Sequence, residues 1–284
     1  DTPISTERTY DYEVYNISAS YDFGFATLLS SSTKYDIENN EGAHTNVVHV
    51  APFLSIPESN LAGTLSEVIN DTHAYGQEIR LSGDTDSLNW VVGIQYADVK
   101  TTGSGGNTSV YLSDSLDILS TPLVPMSRTL ASIANESVAV FSDASYSLTN
   151  QLTVSLGARY YEDEVDFDFD FNSGAFNESN DFENLSLKGS LSYALSDQAN
   201  LYFTIAEGFR SGGVNLHNGL PYDPESIISY EFGGKAILFD GRFSVDASAY
   251  LSKYNDYQAQ DTVNTDIGPR TITVNPGKAE LKGI

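Results

Sequence analysis

The stretch Leu152-Thr-Val-Ser-Leu-Gly-Ala-Arg-Tyr160 alternates without a break. Leu152, Val154, Leu156, Ala158 and Tyr160 share one parity, and Thr153, Ser155, Gly157 and Arg159 share the other. Successive side chains of an extended strand point to opposite faces, so the pattern predicts a strand with one greasy and one wet face. The same split returns where Leu185, Leu187, Leu191, Tyr193 and Leu195 oppose Ser186, Lys188, Ser190 and Ser192. It returns again where Val245, Ala247, Ala249 and Leu251 oppose Ser244, Asp246, Ser248 and Ser252. Charges keep to the wet parity: Arg159, Lys188 and Asp246, then Glu78 and Arg80 opposite Ile79 and Leu81, and Glu231 and Lys235 opposite Tyr230, Phe232 and Ala236. A cation turned toward lipid near the bilayer midplane costs about 2–4 kcal/mol, so a lipid-facing surface demands this placement. A soluble sandwich, with its apolar face turned to a core, alternates in the same way.

Length and aromatics separate the two. The runs 135–148 and 151–165 exceed the roughly 5–6 residues usual for soluble strands and are long enough to project past a bilayer. Tyr21, Phe23, Tyr146, Tyr160, Tyr193, Phe209, Phe239 and Tyr254 sit near predicted strand ends, as aromatic girdles at two membrane interfaces would place them. The sole tryptophan, Trp90, starts a strand just after a tight turn and reads as an interfacial anchor rather than a stacking platform.

Outward from these strands, the links alternate between short and long. Tight turns are predicted at residues 21–24, 83–87, 149–151, 196–198 and 240–242, and long connections centred near Pro57, Asp117, Asn172, His217 and Asp266. The expected fold is therefore all-β: an antiparallel transmembrane barrel with short turns at one mouth and long loops at the other. About eleven strands are predicted, at roughly 10–21, 24–36, 73–82, 88–100, 135–148, 151–165, 183–195, 199–209, 225–239, 242–256 and from 270 onward. Single-chain bacterial barrels close with even numbers, so an odd count is read as part of a barrel.

Composition narrows the function classes. A net charge of −25 argues against nucleic acid, whose phosphates would be repelled. The absence of cysteine excludes disulfides and thiolate metal sites. No run approaches the roughly 20 apolar residues of a spanning helix, which leaves a barrel open, since a tilted strand crosses with about 9–11.

The motifs offer little enzymatic chemistry. Glu162-Asp-Glu-Val-Asp-Phe-Asp-Phe-Asp-Phe171 supplies carboxylates for Ca²⁺, yet its alternation puts Asp166, Asp168 and Asp170 on one strand face without a converging turn, as in a solvated strand rising into a loop. Gly208-Phe-Arg-Ser-Gly-Gly213 lacks the helix that a phosphate-cradling loop opens, and its glycines read as turn residues at a rim. His44, His49, His73 and His217 lack metal-ligand spacing, and no G-x-S-x-G elbow is present. No enzyme activity and no cofactor are expected.

Leu201-Tyr-Phe-Thr-Ile-Ala-Glu-Gly-Phe-Arg-Ser-Gly-Gly-Val-Asn215, with Tyr222-Asp-Pro-Glu225 and Ser229-Tyr-Glu-Phe-Gly-Gly-Lys235, resembles the barrel of TonB-dependent outer-membrane receptors. So do Tyr75-Gly-Gln-Glu-Ile-Arg-Leu-Ser82, Trp90-Val-Val-Gly93, the strand ending at Tyr160, Asp240-Gly-Arg242 and Asn275-Pro-Gly-Lys-Ala-Glu-Leu-Lys-Gly283. The resemblance implies a barrel of about 22 strands filled by an N-terminal plug. Residues 1–284 would be a partial barrel domain, without the plug and without further C-terminal strands. It implies TonB, outer-membrane lipid and a ferric siderophore or similar scarce solute as partners, and the Gram-negative outer membrane as location. Arg159, Lys188, Arg210, Glu231 and Lys235 are the expected ligand-binding or lumen-lining residues, with Arg210 placed to meet an anionic chelate or to pair with a nearby acid. A passive porin and a secreted carbohydrate-binding module are the competing readings.

Overall fold

The computed structural model describes residues 8–45, 61–112, 129–171, 174–215, 219–265 and 268–284, with no helix among them. The strands are β1 (Arg8–Asp22), β2 (Thr27–Thr45), β3 (Leu61–Asp84), β4 (Leu88–Leu112), β5 (Thr129–Ser147), β6 (Leu152–Phe171), β7 (Gly174–Ser196) and β8 (Ala199–Arg210). They continue as β9 (Gly213–Val214), β10 (Pro221–Tyr222), β11 (Glu225–Leu238), β12 (Phe243–Asn255), β13 (Ala259–Thr265), β14 (Gly268–Val274) and β15 (Ala279–Gly283). Eleven of them form one antiparallel meander in the order β1-β2-β3-β4-β5-β6-β7-β8-β11-β12-β15. Among the described residues this is one continuous sheet, not the two facing sheets of a sandwich. β9 pairs with β10, and β13 with β14, as small hairpins inserted at the long-link end.

All five short turns fall where local chemistry puts them. Thr85 and Thr149 build theirs identically: each donates its N–H to the carbonyl three residues on, at Leu88 (2.8 Å) and Leu152 (3.2 Å). Each also accepts that leucine's N–H on its own hydroxyl, at 3.0 Å in both cases. At the first turn Asp22 Oδ1 accepts the Gly24 N–H at 2.7 Å, and Gly24 takes a φ of 86°, which suits a residue without Cβ.

The long-link side differs from the expectation. β2 and β3 stay paired out to Thr45↔Thr64, and β6 and β7 out to Phe171↔Gly174, so much of the sequence assigned to loops is ladder. The five predicted loop centres lie outside the described residues. A second correction concerns the last strand: residues 268–274 pair with 259–265 away from the main sheet, and the eleventh sheet strand is Ala279–Gly283 on β12.

The registers carry the alternation of β6 across the sheet. Leu88, Tyr146, Val154, Leu191, Phe203, Phe232 and Ala249 form one row, and Ile79, Ile94, Val140, Tyr160 and Leu185 another. This face is bare; Leu156 is 65% and Val140 54% exposed. Contiguous exposed aliphatic rows of this extent are rare on soluble monomers and suit hydrocarbon. From Leu152 to Tyr160 the band covers about 26 Å of strand, about 20 Å along the membrane normal at a tilt near 40°.

At Tyr160 the pattern inverts. Beyond it, the parity that was apolar carries Glu162, Glu164, Asp166, Asp168 and Asp170, all exposed, while the opposite parity carries Val165, Phe167 and Phe169, all buried. The acidic run is thus a two-faced strand above the apolar band rather than one solvated on both sides. Tyr160 marks the border: its hydroxyl lies 2.5 Å from Glu162 Oε1 and 2.7 Å from Glu183 Oε2, donating to one carboxylate at a time. Tyr96 and Tyr75, with ring centroids 6.3 Å apart on neighbouring strands, lie one and two same-face rows beyond that border. The inward phenylalanines form a small core with Val214 of β9, flanked by Ala131, Ile133, Phe176 and Phe182. That core seats the first inserted hairpin on the sheet's inner face.

Across the sheet, aromatic rings lie over the glycines directly opposite them. A Cβ on Gly93 would sit 2.5 Å from the Phe141 ring, on Gly233 2.6 Å from Tyr202, and on Gly83 2.9 Å from Trp90. Each ring covers backbone that the glycine leaves bare.

Candidate functional site

β8 is bonded to β7 only from Ser196↔Ala199 up to Lys188↔Ala206. Above that row the two strands part. Glu207 Oε2 accepts the N–H of Leu187 at 3.0 Å, capping the first β7 donor that lacks a strand partner. The end of β8 instead crosses the inner face toward β6, where the Ser211 hydroxyl donates to Asp163, 2.8 Å from Oδ2 and 3.1 Å from Oδ1. Asp163 is buried and also accepts from Asn135 Nδ2 at 3.1 Å. Gly212 and Gly213 make the crossing possible by close packing: an added Cβ on either would lie 2.5 Å from Tyr222. Neither has a positive φ, so the expected turn role is replaced by one of close approach.

The split opens a pocket of about 720 Å³, and three of the five predicted residues, Arg159, Lys188 and Arg210, line it together. Arg159 donates from Nη2 to Gln95 Oε1 at 2.7 Å and lies over the Phe141 and Tyr161 rings, 6.0 and 5.8 Å from their centroids. All its described partners are neutral, so the guanidinium is held in place without being neutralised. Among the described residues Lys188 has one weak ionic partner, Asp143 at 4.0 Å. Arg210 stands opposite Glu225 in the β8–β11 register, yet the buried Glu225 carboxylate accepts the Gln258 N–H at 2.6 Å instead. Arg210 is exposed and makes no hydrogen bond or ion pair among the described residues. Phe209, expected in an aromatic girdle, packs against Tyr161 at 6.5 Å and lines the same pocket.

Glu231 and Lys235 lie elsewhere. Glu231 accepts the Tyr202 hydroxyl at 2.6 Å, and Lys235 pairs with Asp246 at 2.9 Å near the short-turn end of β11. Both stay on the polar parity, as the sequence predicts, but neither touches the pocket. Among the described residues no group of three or more His, Asp or Glu side chains is arranged to hold a metal ion.

Sequence reasoning missed the polar clamp that meets this site at Ser211. Asn215 donates to the Thr273 carbonyl at 2.8 Å and accepts the Thr273 N–H at 2.6 Å, tying the first inserted hairpin to the second. Asn275 donates to the carbonyls of Asp256 (2.7 Å) and Asp223 (3.0 Å) and accepts the Asp223 N–H at 2.8 Å. Gln258 Nε2 donates to the carbonyls of Ser211 at 2.8 Å and Asp223 at 3.1 Å. The segments around Gly208–Asn215, Tyr222–Glu225 and Asn275, quoted above for their resemblance, meet in this one network. A side-chain amide bonding both backbone groups of a distant residue was the only available signal, and it is invisible without the fold.

The whole chain, residues 1–284, matches the family model for the TonB-dependent receptor-like β-barrel. The chain belongs to the TonB-dependent receptor family. A curated relative, the pesticin receptor of Yersinia enterocolitica, is 24% identical over 220 residues, covering 73% of this chain and 30% of the relative. Among solved structures, the ferric yersiniabactin uptake receptor FyuA from Yersinia pestis superposes with a TM-score of 0.71 at 16% identity. The match covers 97% of this chain and 38% of that one. The siderophore receptor PiuA from Acinetobacter baumannii gives 0.70 at 16% identity, covering 97% and 43%. At such identities the structural likeness establishes the fold, and the chain spans about a third of the length of the curated relative. In the receptor fold, the wet parity of β6 faces the barrel lumen and its apolar parity faces outward.

Proposed function

We propose that this chain is the wall of an outer-membrane receptor that takes up a scarce solute, of the ferric-siderophore class, driven through TonB by way of a plug outside this chain. The observation that carries the reading is the pocket at the β7–β8 split, whose lining residue Ser211 bonds Asp163 of the wall and accepts from Gln258 of the clamp beside the two inserted hairpins. A receptor needs a shaped receiving surface of this kind, with a volume in the usual ligand range of about 300–1,000 Å³. A passive pore needs only an open, wet lumen. The ferric yersiniabactin taken up by FyuA, the siderophore received by PiuA, and the family to which the chain belongs support the choice of solute. Arg159, Lys188 and Arg210 are the proposed ligand-facing residues; Glu231 and Lys235 line the lumen below them.

The test is uptake. Cells lacking the gene should fail to grow on the cognate ferric chelate under iron limitation, and radiolabelled iron should enter wild-type cells only while the inner-membrane proton gradient stands. Entry unaffected by a protonophore would favour the porin.

A further inference from the structure

The lipid-facing side of the sheet is not level. Across β4 to β7 it carries bulky rows such as Ile94, Val140, Tyr160 and Leu185. On β11 and β12 the same face narrows to small residues, with Gly234 opposite Ala247, Ala236 opposite Val245 and Ala249 opposite Phe232. Here lies a groove of about 510 Å³, bounded by Leu195, Leu201, Phe232 and Val245. Leu201 leans over its floor: a Cβ on Gly234 would meet the Leu201 Cδ2 at 2.8 Å. Toward the short-turn end follow Leu238 and Phe243, paired and exposed, and then the turn Asp240-Gly-Arg242. Arg242 stands three residues from Val245, about 10 Å of strand. It is the one cation in the five short turns, whose other charges are all Asp. Among the described residues its side chain makes no hydrogen bond or ion pair, and neither does that of Asp240 beside it.

We propose that this groove seats one acyl chain of a phospholipid from the leaflet on the short-turn side, with Arg242 taking the phosphate and Asp240 the ammonium of an amine-bearing headgroup. The groove continues the apolar band, so hydrocarbon already covers the wall around it. Within hydrocarbon there is no hydrophobic gain in leaving one lipid neighbour for another. Selection therefore comes from fit and from the head. A chain lying between Leu201 and Val245 touches side walls as well as floor, and gains dispersion contacts that a flat wall does not offer. A guanidinium presents a planar fork of donors to phosphate oxygens, and a carboxylate accepts from a primary ammonium. The two unpaired charges of this turn match that headgroup in sign, whereas the turns holding Asp alone would repel its phosphate. The inference concerns the outer face of the wall and is independent of the cargo.

The test is native mass spectrometry of the full-length receptor in detergent, titrated with dioleoyl phosphatidylethanolamine, phosphatidylcholine and phosphatidylglycerol, which share their chains and differ in the head. One phosphatidylethanolamine should be retained more tightly than either of the others. R242Q and D240N should each weaken it roughly threefold to fivefold, the range for one exposed charge contact. R242K should recover part of the loss, and K235Q, whose cation is on the lumen parity, should retain lipid as wild type. A247F fills the groove and should weaken all three lipids alike; A249L fills it from the next row and gives an independent reading. Both add apolar bulk to a lipid-facing surface, so their electrophoretic mobility without heating should match wild type. Equal retention of the three lipids would overturn the proposal, as would wild-type retention in both groove-filled variants or equal losses in R242Q and K235Q. Displacement of the lipid by free phosphoethanolamine, or receptor dimers in place of lipid adducts, would overturn it too.

Discussion

Replacing Asp163 by alanine should release the end of β8 from the wall. The Asp163 carboxylate is 5% exposed and accepts from the Ser211 hydroxyl at 2.8 and 3.1 Å and from Asn135 Nδ2 at 3.1 Å. A hydrogen bond to a charged acceptor contributes about 1.5–3 kcal/mol, and deleting the acceptor leaves two donors unpaired in a closed space. Against this stands the relief of no longer burying a carboxylate, so a net loss of about 3 kcal/mol in the docking of residues 211–215 is the working figure. That is roughly a hundredfold in the opening equilibrium. D163N, which keeps one acceptor oxygen, should lose about 1 kcal/mol, or roughly fivefold. Hydrogen exchange reads the effect at the Asn215 and Gly219 amides, which bond the Leu220 and Asn215 carbonyls at 2.9 and 2.8 Å. Their exchange should accelerate in the order wild type, D163N, D163A, while the β5–β6 ladder near Val140 and Tyr160 stays protected. Unchanged exchange at Asn215 in D163A would refute the assignment of Asp163 as the anchor.

Three further predictions follow the same contacts. N215A removes both bonds to Thr273 and should cost about 1–3 kcal/mol of inter-hairpin docking, seen as faster protease cleavage near Thr273 with an unchanged far-ultraviolet spectrum. G233V should push Tyr202 off Glu231, because its Cβ would enter the space of the Tyr202 ring, and should slow folding into lipid; G234A on the opposite face serves as comparison. Above the apolar band, Lys34 and then His73 hold the Asp36 carboxyl below its usual range. A depressed carboxylate stabilises the fold above its unfolded value and loses that contribution as the pH falls through the folded one. The contribution of Asp36 to protection of the outer β2–β3 ladder should therefore be lost only as the pH falls below the ordinary carboxylate range, and D36N should remove that part of the decline.

Much of this architecture is local, and so it was readable. Strand parity in β6, β7 and β12 depends on a period of two, and the turns at Thr85 and Thr149 on a hydroxyl within reach of its own chain. The outer ladders were missed because the signal changes there: past Tyr160 the apolar parity moves to the other face, and a search for one continuous greasy face stops at the border. The Asp/Phe alternation of residues 166–171 contains that inversion, but reading it requires knowing where the membrane ends. Of the site, Arg159 and Lys188 were legible as charges on the wet parity. Their meeting with Arg210 was not, since it depends on β8 leaving β7 at Ala206. The clamp is less legible still: Asn215 and Thr273 are joined across 58 residues, and the freedom of Arg210 depends on Glu225 turning to Gln258.

The central claim is that one apolar face crosses the membrane and ends at Tyr160. The chain has no cysteine, so single cysteines carrying spin labels can be placed at each position from 152 to 169 in protein reconstituted into lipid vesicles. The account predicts that accessibility to oxygen, which concentrates in hydrocarbon, peaks at 152, 154, 156 and 158, falls at 153, 155 and 157, and disappears beyond 160. Positions 162, 164, 166 and 168 should instead be open to a water-soluble relaxant, with 165, 167 and 169 shielded from both. Oxygen accessibility at 165 or 167, or no alternation between 152 and 160, would contradict it.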